Sequence, residues 1–228
     1  MSTSTVTLPT ITKNSALVTQ VTTILVRPQD QARIIGGLVA HTRSTDTGRA
    51  GLISLSLLHS LDGERILVYE QLDGSEEHSD AASRNFPERG LALAIDVHRY
   101  DVVYTNDRSQ AGVTSIVEGG DFATFINVMH TTPGQQGALI DFVIANDDRI
   151  FTLHPGFRSA NFHRSRDGER VLNYSHWTSE ADFLDAINAV MGMPGLTMSR
   201  ANELAATIAG ARGWTDFRFY TVDAVVAR

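Results

Sequence analysis

The chain has 228 residues, no cysteine, 20% charged and 42% hydrophobic residues, and a net charge of −7 from 19 Lys+Arg against 26 Asp+Glu. That length holds one large domain or two small ones with an ample core, and zero cysteine excludes disulfides, thiolate metal ligands, thiol nucleophiles and thiol switches. An acidic balance without a basic patch argues against nucleic acid, and no apolar run nears the roughly 18–20 residues of a membrane span.

In chain order, the Ser/Thr-rich residues 1–16 read as a flexible tail. They lack the basic and apolar regions of a secretory signal, so a soluble cytoplasmic protein is expected. A strand follows at 17–27, then Pro28 where a helix begins, and a helix over 29–41. Strands at 52–60 and 65–72 flank Asp62-Gly63, a strong hairpin signal. A helical region and a strand at 91–104 complete the unit. Residues 106–120 are polar, carry three glycines and read as a linker. The same order then returns: a strand at 122–132, Pro133, a helix at 134–150, and a hairpin 157–165/170–178 around Asp167-Gly168. Helical stretches at 179–191 and 199–211 precede a strand at 215–226.

The return is also visible residue by residue. At an offset of 105 positions, Gly51, Ser54, Ser60, Asp62-Gly63-Glu64-Arg65, Leu67 and Tyr69 recur as Gly156, Ser159, Ser165, Asp167-Gly168-Glu169-Arg170, Leu172 and Tyr174. Chance gives about one or two matches over such a stretch. Pro28 and Gln31 recur as Pro133 and Gln136 in the same register. The expected fold class is α+β: two tandem ferredoxin-like βαββαβ domains, 17–105 and 121–228, forming a pseudo-dimeric α+β barrel. Their bare sheet faces would meet and enclose a cavity.

Strand side chains alternate between faces. In the first hairpin Ile53, Leu55 and Leu57 share parity with Leu67 and Tyr69, an apolar face suited to lie under helices. With a three-residue turn in the second hairpin, Phe157, Asn161 and His163 share the opposite face with Asn173, Ser175 and Trp177. That mixture suits a pocket with apolar walls and a few placed polar groups. The first copy has Val68 for Asn173, Leu72 for Trp177 and Thr22 for Asn127. The asymmetry marks the second copy as the working domain and the first as degenerate.

The Asn127 strand, the Pro133-Gly134-Gln135 helix start, His154-Pro155-Gly156-Phe157, the Asp167-Gly168 turn and Asn173-Tyr174-Ser175-His176-Trp177 occur in that order. In this the chain resembles the antibiotic biosynthesis monooxygenase family, and within it the anthrone oxygenases of aromatic polyketide pathways. The resemblance is strong over 122–187 and weaker over 17–78. It implies an O2-dependent monooxygenase without metal, haem or bound flavin, oxidising an anthrone-type polycycle to a quinone. It implies catalytic roles for Asn127, Asn173, Trp177 and His163, and places Phe183 near a tyrosine used by some members. Relatives that open an angucycline ring, with reduced flavin supplied from outside, are an alternative of similar length. A non-catalytic polycycle-binding barrel is another. Phe157, Asn161, Ser175, Phe183 and Met191 are the expected substrate contacts. The expected partner is a small polycyclic aromatic, with no nucleic acid and no membrane, bound by a monomeric pseudo-dimer or a homodimer.

Eight histidines raise the question of a metal. His163 and His176 have opposite strand parity by this reading, and neither HxH nor HExxH occurs, so no metal site is expected.

Overall fold

The structure, a computed structural model, describes residues 8–13, 16–45, 50–73, 86–109, 112–149, 151–191, 195, 197–200 and 215–227. The first half contributes β1 (Thr10–Ile11), β2 (Val18–Leu25), α1 (Pro28–Thr45), β3 (Leu52–Ser60), β4 (Arg65–Leu72) and β5 (Ala94–Asp107). The second contributes β6 (Thr114–Ser115), β7 (Ala123–His130), α2 (Gln136–Arg149), β8 (Phe157–Ser165), β9 (Arg170–Trp177), α3 (Glu180–Met191) and β10 (Thr215–Ala227). The helical stretch expected at 199–211 lies almost wholly outside the described residues.

Eight strands close an antiparallel barrel in the order β10-β3-β4-β2-β5-β8-β9-β7. Each half supplies the same four-strand order. The last strand of each half reaches across to the other: β5 pairs with β8, and β10 with β3. Closure leaves no barrel strand with an unpaired edge. This is the tandem ferredoxin-like α+β barrel expected from the repeat.

The repeated residues turn out to be hairpin machinery. In the first loop Ser60 Oγ donates to Asp62 (2.7 Å) and accepts from the Arg65 amide (2.8 Å). In the second, Ser165 Oγ donates to Asp167 (2.6 Å) and accepts from the Arg170 amide (2.8 Å). The recurring glutamines pin each loop to a helix start. Gln31 Nε2 donates to the Ser60 and Arg65 carbonyls, and Gln136 Nε2 to those of Ser165 and Arg170, at 2.8–3.0 Å. Gly63 and Gly168 have φ of +84° and +82°, a backbone conformation that disfavours a side chain.

Each loop spans four residues, where a three-residue turn was expected in the second hairpin, and Arg164 lies opposite Val171. A one-residue change of register turns every side chain to the other face. A bulge between Phe157 and Ser159 shifts parity again within β8, and the equivalent bulge lies between Leu52 and Ser54 in β3. The two faces therefore hold different residues from those expected. Leu58, Leu67 and Tyr69 of the first half pack with Ile126, Leu172 and Tyr174 of the second inside the barrel. Leu55 and Leu57 join Ile66, Val68 and Leu72 beneath α1. Ile53 sits in the bulge and is 37% exposed. Phe125, Phe157, Phe162, Val171 and Trp177 face α2 and α3.

Two short strands fall in segments expected to be tail and linker. β1 pairs with β6, and Ile11 and Ile116 pack into the barrel's interior cluster. Gln71 Nε2 donates to the Thr10 carbonyl at 2.8 Å, tying this ribbon to the barrel.

Candidate functional site

The helix-covered side of the second half gathers the unusual residues. Trp177 ends β9 and is 2% exposed. Its position follows from local sequence. Ser179 caps α3: its Oγ accepts from the Asp182 amide at 3.1 Å and donates to the Asp182 carboxylate at 2.6 Å. The His154-Pro155-Gly156 turn lies against this cap, and a Cβ on Gly156 would sit 2.3 Å from Asp182 Cβ. Only glycine allows that approach. Trp177 is thereby enclosed by Phe157 (ring centroids 5.4 Å), Phe183 (5.4 Å), His154 (5.8 Å) and Phe151 (6.0 Å). Its indole N–H donates to Ser175 Oγ at 3.3 Å. Phe183 lies 3.9 Å from the Phe125 ring, extending the aromatic envelope.

One turn of pleat further along, Asn127 and Asn173 are direct cross-strand partners on β7 and β9. Phe217 flanks the pair on one side and Phe162 on the other. Asn127 is buried, and Asn173 Oδ1 is buried without a hydrogen-bond partner among the described residues. An unmatched buried amide oxygen costs about 1–3 kcal/mol, so a ligand that hydrogen-bonds there recovers energy. The position equivalent to Asn173 in the first half is Val68, which simply fills the core beneath α1.

The structure thus brings together Asn127, Asn173, Ser175, Trp177, Phe157 and Phe183. It separates His163 and Asn161 from them. Both lie on the barrel-facing side, because the four-residue loop and the β8 bulge reverse the parity assumed from sequence. His163 is fully buried. Its Nδ1 meets the Asn161 carbonyl at 3.0 Å and its Nε2 meets the Tyr69 hydroxyl at 2.8 Å. A carbonyl only accepts, so Nδ1 carries the proton and Nε2 accepts from Tyr69. Burial pushes its pKa down to about 4, leaving it a neutral core histidine. Asn161 Nδ2 donates to Thr114 Oγ1 (2.9 Å) and to the Tyr174 carbonyl (3.0 Å), a structural role inside the barrel. Met191 ends α3, and its side chain lies outside the described residues.

His176 also faces the barrel interior, on the same side as His163 and not the opposite one, paired with Ser159. Burial lowers its pKa to about 3. Among the described residues no group of three or more His, Asp or Glu is placed to hold a metal ion.

Sequence reasoning missed a polar cluster at the far edge of this side. Tyr104 and Asn106 on β5 meet Asp147 near the end of α2: the Tyr104 hydroxyl donates to Asp147 Oδ2 at 3.0 Å, and Asn106 Nδ2 at 2.9 Å. Tyr104 lies in the first half by sequence, Asn106 in the segment read as a linker, and Asp147 in the second half. The crossing of β5 onto β8 is what brings Tyr104 and Asn106 to the second half's helix-covered side, and only the swapped strand order would have revealed it.

Residues 123–189 match the antibiotic biosynthesis monooxygenase family. Over 71 residues the chain is 42% identical to the tetracenomycin-F1 monooxygenase of Streptomyces glaucescens, covering 31% of this chain and 63% of that protein. The match therefore spans less than two thirds of that relative's length. The crystal structure of an anthrone oxidase-like protein superposes with a TM-score of 0.77 at 19% identity, covering 96% of each chain. A crystal structure from Fusobacterium nucleatum subsp. nucleatum superposes with a TM-score of 0.56 at 9% identity, covering 94% of this chain and 96% of the other. These two likenesses concern the fold, which is that of the tandem α+β barrels. Residues 123–189 are similar to the antibiotic biosynthesis monooxygenase family, and Asn127, Asn173, Ser175, Trp177 and Phe183 all fall within that matched span.

Proposed function

We propose that the protein is a cofactor-independent monooxygenase of aromatic polyketide biosynthesis, acting on the helix-covered side of its second half. One observation carries the reading. A cross-strand Asn pair, with one buried amide oxygen unmatched, lies beside a Trp-centred aromatic envelope. It does so within residues 123–189, the segment similar to the antibiotic biosynthesis monooxygenase family. Trp177, Phe157 and Phe183 form an aromatic envelope of the kind beside which a polycycle stacks. The unmatched Asn173 Oδ1 accepts from a substrate hydroxyl, and the Asn amide N–H groups donate to an oxyanion.

The chemistry asks little more of the protein. The methylene of a phenolic anthrone is acidic, and losing its proton gives a delocalised enolate. That enolate reduces O2. The methylene becomes a carbonyl by losing two hydrogens and gaining one oxygen atom, and the second oxygen atom leaves as water. The substrate supplies all four electrons, so neither flavin nor metal is required by the balance. Amide donors aimed at the developing oxyanion are typically worth about 3 kcal/mol each.

The test is O2 uptake by the purified protein with a panel of anthrones and angucyclines under ¹⁸O2, with mass analysis of products, with and without a flavin reductase. Quinone carrying one labelled oxygen atom, formed without reductase, is the expected result. Strict dependence on reduced flavin with ring-opened product would replace the reading with oxidative C–C cleavage. Tight binding with no O2 consumed would replace it with a non-catalytic barrel.

A further inference from the structure

The Tyr104–Asp147 pair has no counterpart in the other half. The register that sets Tyr104 opposite Phe162 sets Ala224 opposite Leu57, the residue equivalent to Phe162. The equivalent of Asn106 is likewise Val226. Thr42 stands at the position equivalent to Asp147. The barrel closes and α1 packs in the first half without any of the three polar groups, so the fold does not require them. Their asymmetry runs in the same direction as that of Asn127, Asn173 and Trp177.

Their placement gives the asymmetry a use. Tyr104 lies on the same row as Phe162, Asn173 and Asn127, two strands from Asn173. At about 4.8 Å between strands that is roughly 10 Å, comparable to the length of a fused three-ring system. The Tyr104 and Phe162 rings lie 5.6 Å apart at 36°, a floor between the two polar ends. Asp147 is 1% exposed, and one of its oxygens accepts from both Tyr104 and Asn106. A phenol that donates to a carboxylate has a more basic oxygen, ready to accept a second proton.

We propose that Tyr104 and Asp147 form a proton relay contributed partly by the first half, which ionises a phenolic hydroxyl of the bound polycycle. The substrate O–H proton passes to the Tyr104 oxygen as the Tyr104 proton passes to Asp147. The substrate becomes a phenolate, Tyr104 is unchanged and Asp147 is a neutral acid. No electrons move in this step. The phenolate makes the ring system more electron-rich, which favours reduction of O2 once the methylene proton is lost, while the Asn pair holds the opposite edge. The inference rests on the proposal that a hydroxylated polycycle occupies this side of the sheet.

The test uses 1,8-dihydroxyanthraquinone, which resembles a product, does not consume O2 and reddens on ionisation. Spectrophotometric titration of the full-length protein reads both affinity and the pH at which the bound probe ionises. The wild type is expected to bind it and ionise it at lower pH than free solution does. Tyr104→Phe and Asp147→Asn are expected to bind within a few-fold and lose that shift, with kcat for O2 uptake from an anthrone down about 100-fold and KM little changed. Thr152→Val is the control for a purely structural staple, because Thr152 Oγ1 bonds both Asn106 (2.8 Å) and the Asp147 carbonyl (2.8 Å) without joining the relay. It is expected to leave the shift intact. Equal shifts in wild type, Tyr104→Phe and Asp147→Asn overturn the relay. So does a Thr152→Val variant as impaired in ionisation and thermal stability as the other two. A probe that ionises normally beside Asn173-dependent O2 uptake sinks the relay but not the oxygenase. An ionisation shift that depends on Tyr104, in a protein that consumes no O2, sinks the oxygenase but not the relay.

Discussion

His163 shows how far parity controls a residue's meaning. On the helix-covered side it would sit beside Asn173 as a base. In the barrel, bonded to Tyr69 and to the Asn161 carbonyl, it is a neutral structural group. Its protonation is then a stability matter. The unfolded chain takes up its proton near pH 6.5 and the folded protein only near 4. Between those values the unfolded state binds more protons, so stability rises with pH in that window. The contribution is complete above pH 6.5 and is lost as pH falls toward 4, by about 3 kcal/mol for this one group. Thermal melts from pH 7 to 4 should show a falling Tm, with a shallower fall in His163→Gln. An identical slope in that variant would contradict the burial. The asparagines were legible because Asn is an odd choice for a strand interior and the first copy showed what an ordinary core puts there. Asn173→Ala should lower kcat for O2 uptake about 100-fold while Tm holds or rises, since an unmatched buried amide disappears. A large loss of Tm with kcat unchanged would make Asn173 structural.

At the scale of elements, the sequence located both hairpins to the residue, because Ser-x-Asp-Gly-Glu-Arg encodes a specific loop. It did not reveal which face each strand presents. That depends on whether the loop counts three residues or four, and on a bulge at Arg158 that nothing in the local pattern marks. The loop's glycine is testable. A Cβ at Gly168 would meet Pro133 Cα at 2.9 Å as well as the unfavourable φ. Gly168→Ala should cost on the order of 2 kcal/mol, seen as a Tm lowered by several degrees. No change in Tm would mean that the loop does not dock on the α2 start. The two hairpins are also clasped differently by the strands that cross between halves. Arg218 on β10 bonds Asp62 and Glu64, whereas His98 on β5 bonds Asp167 at 2.6 Å and Asp96 at 2.9 Å. The Asp96 hydrogen bond raises the His98 pKa above 6.5, partly opposed by burial, with Asp167 adding to the rise. The folded state therefore holds this proton more tightly. The clasp is complete below pH 6.5 and weakens as pH rises through the raised folded value.

For the whole molecule, the repeat predicted a fused pair, and the strand order explains why fusion suits it. Each half completes the other's sheet, and β5 also brings Tyr104 to Asp147 on the helix-covered side of the second half. The sequence could not reveal that contribution, because Tyr104 lies nearly seventy residues before Asn173 and belongs to the copy that looked degenerate. Residues 112–228 alone would leave β8 without its β5 partner. That fragment is expected to associate into a homodimer, with β10 of one copy standing in for β5 on the other, and sedimentation should detect it. A folded monomer would contradict the dependence of each half on the other.

The most direct measurement is O2 consumption with a hydroxylated anthrone, with no flavin or metal added, comparing the wild type with Trp177→Phe and Asn173→Ala. If catalysis takes place beneath α2 and α3, the wild type turns over and both variants slow sharply while remaining folded. Turnover that is unaffected by either substitution, or lost only on mutating residues inside the barrel, would place the chemistry elsewhere.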